Sequence, residues 1–238
     1  MKETITIKSK LTLRKIKSYA GIIACVAFYL SSQALAEDKI SENKVITNKS
    51  VSFYKGHKSD LKQIESHLNN IKYLSAKFIQ ESSDGNLVEG KFFLSRPGKM
   101  RIEYLADPKI IIIVNGSILS YHDVELDEVS RLRTNTTPAS FLTRPHISFS
   151  SKDVEVTNIK KTPSRLKVSV MKKNRKEAGE FSLIFSRNPL EFIKMEVKND
   201  LDQIVGVTLA EKNFTSPISK KLFIIKKSSD WVNDHFNI

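Results

Sequence analysis

The chain has one cysteine and one tryptophan in 238 residues. The cysteine, Cys25, lies inside an N-terminal apolar run, so no thiol follows it. That excludes a disulfide framework, a thiolate metal site and a cysteine nucleophile from the rest of the chain. Long apolar runs are also missing. Ala20–Leu30, about 11 residues, falls short of the ~20 that a membrane-spanning helix needs. The five histidines, His57, His67, His122, His146 and His235, show no metal-ligand spacing. No phosphate loop, dinucleotide fingerprint or nucleophile elbow occurs, and the carboxylates are scattered along polar strand faces. These absences point to a binding protein rather than an enzyme, with no metal and no cofactor expected.

An export address is present. Lys2, Lys8, Lys10, Arg14, Lys15 and Lys17 precede the apolar run, and Ala34-Leu35-Ala36 follows it. A basic start, a short apolar core and a small-x-small end make a cleavable signal peptide over residues 1–36. The mature chain is expected to start at Glu37, in the periplasm. A retained anchor and a lipid-modified Cys25 are the alternatives. Cys25 sits mid-run with Val26–Leu30 still to come, which argues against lipidation. Of 39 basic residues the leader takes six, and of 26 acidic residues it takes Glu3. The mature chain keeps 33 against 25, a net of about +8. Its cations, such as Lys160, Lys161, Lys172, Lys173, Lys220 and Lys221, are spread out. They read as a solvated face, or as attraction to an anionic membrane or acidic partner, and not as a nucleic-acid site.

Residues 37–57 are polar and aperiodic, as in a flexible linker. Leu61, Ile64, Leu68 and Ile71 then recur on one helical face, with Ser59 as the expected N-cap. After Lys72 the period becomes two. Turn chemistry at Ser83–Asn86, Arg96–Lys99 and Asn115-Gly116 separates alternating strands. Pro138 starts a short helix over Ala139–Leu142, which Pro145 stops. Strands resume at Asp153–Ile159, Arg165–Met171, Glu180–Phe185, Leu190–Val197 and Ile204–Leu209, with a last short one at Lys221–Ile225. About eleven strands joined by short turns predict an α+β fold. It is a single antiparallel, strongly curved sheet with helices on its concave face.

Specific residues now carry a family resemblance. Phe78-Ile79-Gln80, the stretch Gly90 to Tyr104 with its Arg96-Pro97, and Asp107-Pro108 come first. Ile113-Val114-Asn115-Gly116 with Leu119, Tyr121 and Asp123 follows, then Thr137 to Leu142, Phe181 to Phe185 and Leu190 to Val197. This ordered set resembles the LolA family of periplasmic outer-membrane lipoprotein carrier proteins over roughly Ser59 to Phe223. The resemblance implies an incomplete β-barrel with helices as a lid, in a carrier domain over 58–226 followed by a tail over 227–238. It implies acylated lipoproteins as cargo, taken from an inner-membrane lipoprotein-releasing ABC transporter to an outer-membrane acceptor or membrane surface by a monomer. A lipid-binding or stress-sensing regulator of the same fold is the alternative.

The resemblance also assigns roles. Arg96 is expected to hold the lid closed over an empty cavity. Phe78, Phe92, Leu94, Met100, Ile102, Ile111 and Ile113 are the expected cavity residues, and Pro138, Phe141 and Leu142 the expected lid residues. Where many family members carry tryptophan, this chain has Ile102 and Ser120, and its only tryptophan is Trp231. A cavity lined by Ile, Val, Leu, Met and Phe is expected in consequence.

Overall fold

The computed structural model describes residues 57–174, 179–199 and 201–225. The predicted leader 1–36 with Cys25, the linker up to residue 56, and the tail 227–238 with Trp231 lie outside the described residues. Helix α1 (Lys58–Asn70) forms where Leu61, Ile64 and Leu68 share one buried face. Ser59 is not its N-cap. His57 holds that place, without a side-chain capping bond. Asp60 in the first turn supplies the favourable charge instead. Its carboxylate accepts from Lys161 Nζ at 2.7 Å, and this bond foremost holds the carboxyl below its usual pKa. Ile71 has already left the helix as its C-cap, yet remains buried.

The strands are β1 (Tyr73–Ser82), β2 (Leu87–Ser95), β3 (Lys99–Tyr104), β4 (Ile110–Asn115), β5 (Ile118–Asp123) and β6 (Glu128–Arg133). After the lid segment come β7 (Val154–Lys161), β8 (Arg165–Lys172), β9 (Glu180–Arg187), β10 (Leu190–Lys198) and β11 (Ile204–Asn213). Among the described residues they make one antiparallel sheet in the order β6-β5-β4-β3-β2-β1-β11-β10-β9-β8-β7. Two meanders are thus joined by β1 and β11, with Phe78 opposite Leu209 and Ser82 opposite Val205. A register shift between Ser75 and Lys77 bends β1 at this seam. The outermost strands, β6 and β7, do not pair with each other, so the sheet curves without closing into a barrel.

Local chemistry explains the hairpins. Asn115 pairs with Ile118, so the β4–β5 loop is Gly116-Ser117, and Gly116 takes φ +64° at its first position. Gly90 serves the inner face differently. A Cβ there would overlap the Phe78 ring and lie 2.5 Å from the Glu103 carbonyl oxygen.

The predicted strand Lys221–Ile225 is a 3-10 turn, Lys220–Phe223. The sheet explains the difference. Both neighbours of β11 are already occupied, so the chain leaving it has no free strand edge beside it. It crosses the outer face instead. Arg101 Nη1 donates to the Leu222 carbonyl at 3.1 Å, and Phe223 is buried there.

Candidate functional site

The chain between the two sheet edges builds a lid. A 3-10 turn at Thr134–Thr136 leads through Pro138 into α2 (Ala139–Thr143). Arg144 then turns extended, as the residue before Pro145 must. Ala139 and Leu142 face the concave side of the sheet, where they roof an apolar cavity of about 80 Å³. Phe78, Phe92, Met100, Ile102, Ile112 and Leu119 line it from the first meander. Phe181, Met195, Val197, Val205 and Val207 line it from the second. Pro138 and Thr137 complete the roof. The polar lining groups are satisfied: Tyr104 donates its hydroxyl to Gln80 Oε1 at 2.7 Å, and Thr137 donates to the Thr134 carbonyl at 2.9 Å.

Six predicted residues meet in this cavity: Phe78, Phe92, Met100, Ile102, Pro138 and Leu142. Leu94 is buried in the same core without lining the cavity. Phe141 turns aside to pack against Phe149 and Phe181, with the Arg144 guanidinium 5.0 Å above its ring. Ile111 and Ile113 fall on the opposite face of β4. Ile112 pairs with Ile102 and takes the inner place, while Ile113 is buried on the outer face that the C-terminal turn covers. Five consecutive apolar residues, Ile110–Val114, show no alternation, so the sequence does not reveal which side faces in. The parity of Met100, Ile102 and Tyr104 carried across the hairpin does.

Arg96 ends the β2 side of its turn beneath α1 and the lid, and is only 8% exposed. Its guanidinium donates to four groups: the carbonyls of Leu68, Arg144 and Pro145, and Asn69 Oδ1. The Arg144 bond is 2.9 Å and the Pro145 bond 3.3 Å. Burial lowers the Arg96 pKa from its ordinary value, but a guanidinium stays charged in proteins. The Leu68 carbonyl lies in the last turn of α1 and also accepts the Ile71 N–H at 3.2 Å, so one side chain adds a second bond at a helix terminus and grips the lid.

Further contacts, with no obvious sequence pattern, reinforce this junction. Gly98 donates its N–H to the Thr143 carbonyl at 2.7 Å. Asn69 of α1 exchanges two bonds with the Ile147 backbone, at 2.8 and 2.9 Å. Glu65 accepts from the Phe149 N–H at 2.6 Å and from the Ser148 hydroxyl at 3.1 Å. Helix α1 thereby pins the segment that follows the lid. Among the described residues no cluster of His, Cys, Asp or Glu is placed to hold a metal ion, and no helix is long and apolar enough to cross a membrane.

Comparison with known proteins gives a consistent picture. The sequence pattern of the family described as "Outer membrane lipoprotein carrier protein LolA" matches residues 69–226. An "Outer-membrane lipoprotein carrier protein" of Coxiella burnetii is 31% identical over 181 residues, covering 70% of this chain and 82% of that protein. An uncharacterized protein of Rickettsia prowazekii is 23% identical over 177 residues, covering 74% of this chain and 81% of the relative. Among solved structures, a LolA superfamily protein of Nitrosomonas europaea aligns with a TM-score of 0.41 at 8% identity. That alignment covers 69% of this chain and 97% of the other.

Proposed function

The chain belongs to the LolA family of outer membrane lipoprotein carrier proteins, and from that premise we propose that it shelters the acyl chains of lipoproteins in the cavity beneath its lid. It takes them from an inner-membrane exporter through the periplasm to the outer membrane. The family is one of carriers.

The observation that carries this reading is the cavity, apolar apart from Gln80, Tyr104 and Thr137 and roofed by a short helix in the segment that joins the two open edges of the sheet. Sequestering acyl chains from water is worth about 0.8 kcal/mol per methylene, so an apolar wall is the chemistry that cargo requires. The closed cavity is too small to hold it. At about 80 Å³ it is roughly half the ~150 Å³ of an engineered cavity that admits one benzene. Loading therefore needs the lid to move, and the Arg96 junction is what holds it. Closed and empty competes with open and loaded.

The test is displacement. Purified protein should take up an environment-sensitive hydrophobic probe and lose it to a triacylated lipopeptide, but not to the same peptide without its acyl chains. Failure to bind the probe, or displacement by the unacylated peptide, would rule the carrier reading out.

A further inference from the structure

Hairpin turns are ordinarily built from small and polar residues, yet one rim of this sheet is not. Six of the nine large apolar side chains exposed among the described residues are Leu87, Leu105, Val124, Leu126, Leu201 and Ile204. They sit on the β1–β2, β3–β4, β5–β6 and β10–β11 hairpins. In an antiparallel meander these connections all lie at the same end, and the registers agree: Glu81 opposite Leu87, Ile110 opposite Asp123, Asp123 opposite Glu128, Lys198 opposite Ile204. The four hairpins are consecutive along the sheet. The end they occupy is the one away from α1, Arg96 and the β2–β3 turn. It adjoins the cavity, because the wall residues Tyr104 and Val205 immediately precede and follow Leu105 and Ile204.

The same arc carries the wrong charge for this chain. The mature chain carries about +8 overall, but the four hairpins bring Asp84, Asp107, Asp123, Glu125, Asp127, Glu128 and Asp202 against Lys109 and Lys198. Some of these carboxylates have local duties. Asp84 and Asp123 accept backbone N–H groups of their own turns, Asp127 meets His122, and Lys198 pairs with Asp202 at 2.6 Å. Turn chemistry accounts for neither Asp107, Glu125 and Glu128 nor the leucines. The fifth hairpin at this end, β8–β9, begins with Lys172 and Lys173, which bounds the acidic arc on one side.

We infer that this arc is a docking rim for a partner protein whose surface is basic and offers apolar pockets, and that cargo passes across it between cavity and partner. The inference rests on the carrier reading and names the partner's chemistry. Exposed apolar groups rimmed by charge mark interaction surfaces. Carboxylates select against an anionic bilayer, whose surface attracts basic segments, and in favour of a cationic protein face. The excess positive charge elsewhere on the molecule turns this end toward such a face during approach.

The experiment measures binding of the full mature chain to the purified periplasmic domain of the lipoprotein exporter and to the soluble outer-membrane acceptor. Wild type should bind at least one of them, more weakly as salt rises. Leu126→Ser with Leu201→Ser, and separately Asp107→Lys with Glu125→Lys, should each weaken binding about tenfold or more. Lys62→Glu with Lys160→Glu, on the opposite end, should not. All variants should displace the hydrophobic probe with lipopeptide as wild type does. A carrier failure appears in that cavity assay alone, independent of the rim. The docking inference is overturned by rim variants that bind normally, by wild type that binds neither domain, or by uptake onto phosphatidylethanolamine–phosphatidylglycerol vesicles that depends on Leu126 and Leu201.

Discussion

Arg96→Leu separates two jobs that one side chain performs. Toward α1, the guanidinium satisfies the Leu68 carbonyl and Asn69 Oδ1. Toward the lid, it makes one short bond, to the Arg144 carbonyl at 2.9 Å, and longer ones of 3.3 Å to Arg144 and Pro145. A hydrogen bond to a charged group contributes about 1.5–3 kcal/mol net. Counting only the short lid contact, its loss shifts the balance between closed and open lid by about tenfold to a hundredfold. The variant should therefore accept lipopeptide readily and release it poorly, because the closed, empty state no longer competes. On the α1 side, the Leu68 carbonyl keeps the Ile71 N–H and Asn69 Oδ1 keeps the Ile147 N–H. The cost is that of a lost charge-assisted hydrogen bond, roughly 1.5–3 kcal/mol of stability, which lowers Tm by about 2–4 °C per kcal/mol for a domain of this size. Arg96→Lys should restore release only in part, since a point ammonium cannot reach divergent acceptors as a planar fork does. The assay is transfer of a labelled lipopeptide from loaded protein to acceptor, run beside a thermal melt. Release at the wild-type rate together with a lowered Tm would refute the switch. Arg96 would then be an anchor for α1, and the lid would be held by bonds such as Gly98 N–H to the Thr143 carbonyl.

Gly90→Ala should cost about 1–3 kcal/mol, as overpacking does, because its Cβ meets the Phe78 ring and the Glu103 backbone; a melt and weaker probe uptake report it. Ile112→Ser should weaken probe binding while Ile111→Ser leaves it nearly unchanged, since only Ile112 lines the cavity; equal effects in a fluorescence titration would contradict the register. The His67 pKa is lowered by burial against Phe185, with Glu191 opposing and Lys212 reinforcing that direction. The neutral imidazole therefore contributes stability that is full above about 6.5, the unfolded value, and is lost as pH falls through the lower folded value; melts over that window should show a smaller slope in His67→Phe. Intact mass of the periplasmic protein should correspond to a chain starting at Glu37 with no acyl group; a diacylglycerol-sized increment on a chain starting at Cys25 would overturn that processing.

The fold was legible because most strands advertise which side is inside. In Met100-Arg101-Ile102-Glu103-Tyr104 the charged residues fix the face, and Phe92 and Ile102 follow from it across the hairpin. Ile110–Val114 offers no such contrast. Its two faces are both apolar for different reasons: Ile110, Ile112 and Val114 meet the core, and Ile113 meets the turn around Phe223. A C-terminal segment more than a hundred residues away decides the matter, so no local window could. The second meander, which supplies Phe181, Met195, Val197, Val205 and Val207, is legible as strands from the sequence. Its share in the cavity depends on the β1–β11 seam, a pairing between distant segments that alternation does not specify.

The lid junction shows the same limit from the other side. Arg96 stood out through the Arg-Pro turn that carries the family resemblance, but its partners are mostly backbone carbonyls, which every residue possesses. Asn69 and Glu65, on the polar side of α1, resemble any exposed helix residues until the segment Ile147–Phe149 lies beside them. Their arrangement has a mechanical consequence. Helix α1 holds both Arg96 and the segment beyond the lid, while the lid itself bridges edges that do not pair. Enlarging the cavity therefore breaks the hydrogen bonds of this junction and the packing of Phe141 and Leu142 beneath the lid, and leaves the sheet's ladders intact. A protein that must open for cargo and close without it needs its weak point confined in this way, because bonds lost from the ladders would unfold the cavity wall along with the roof.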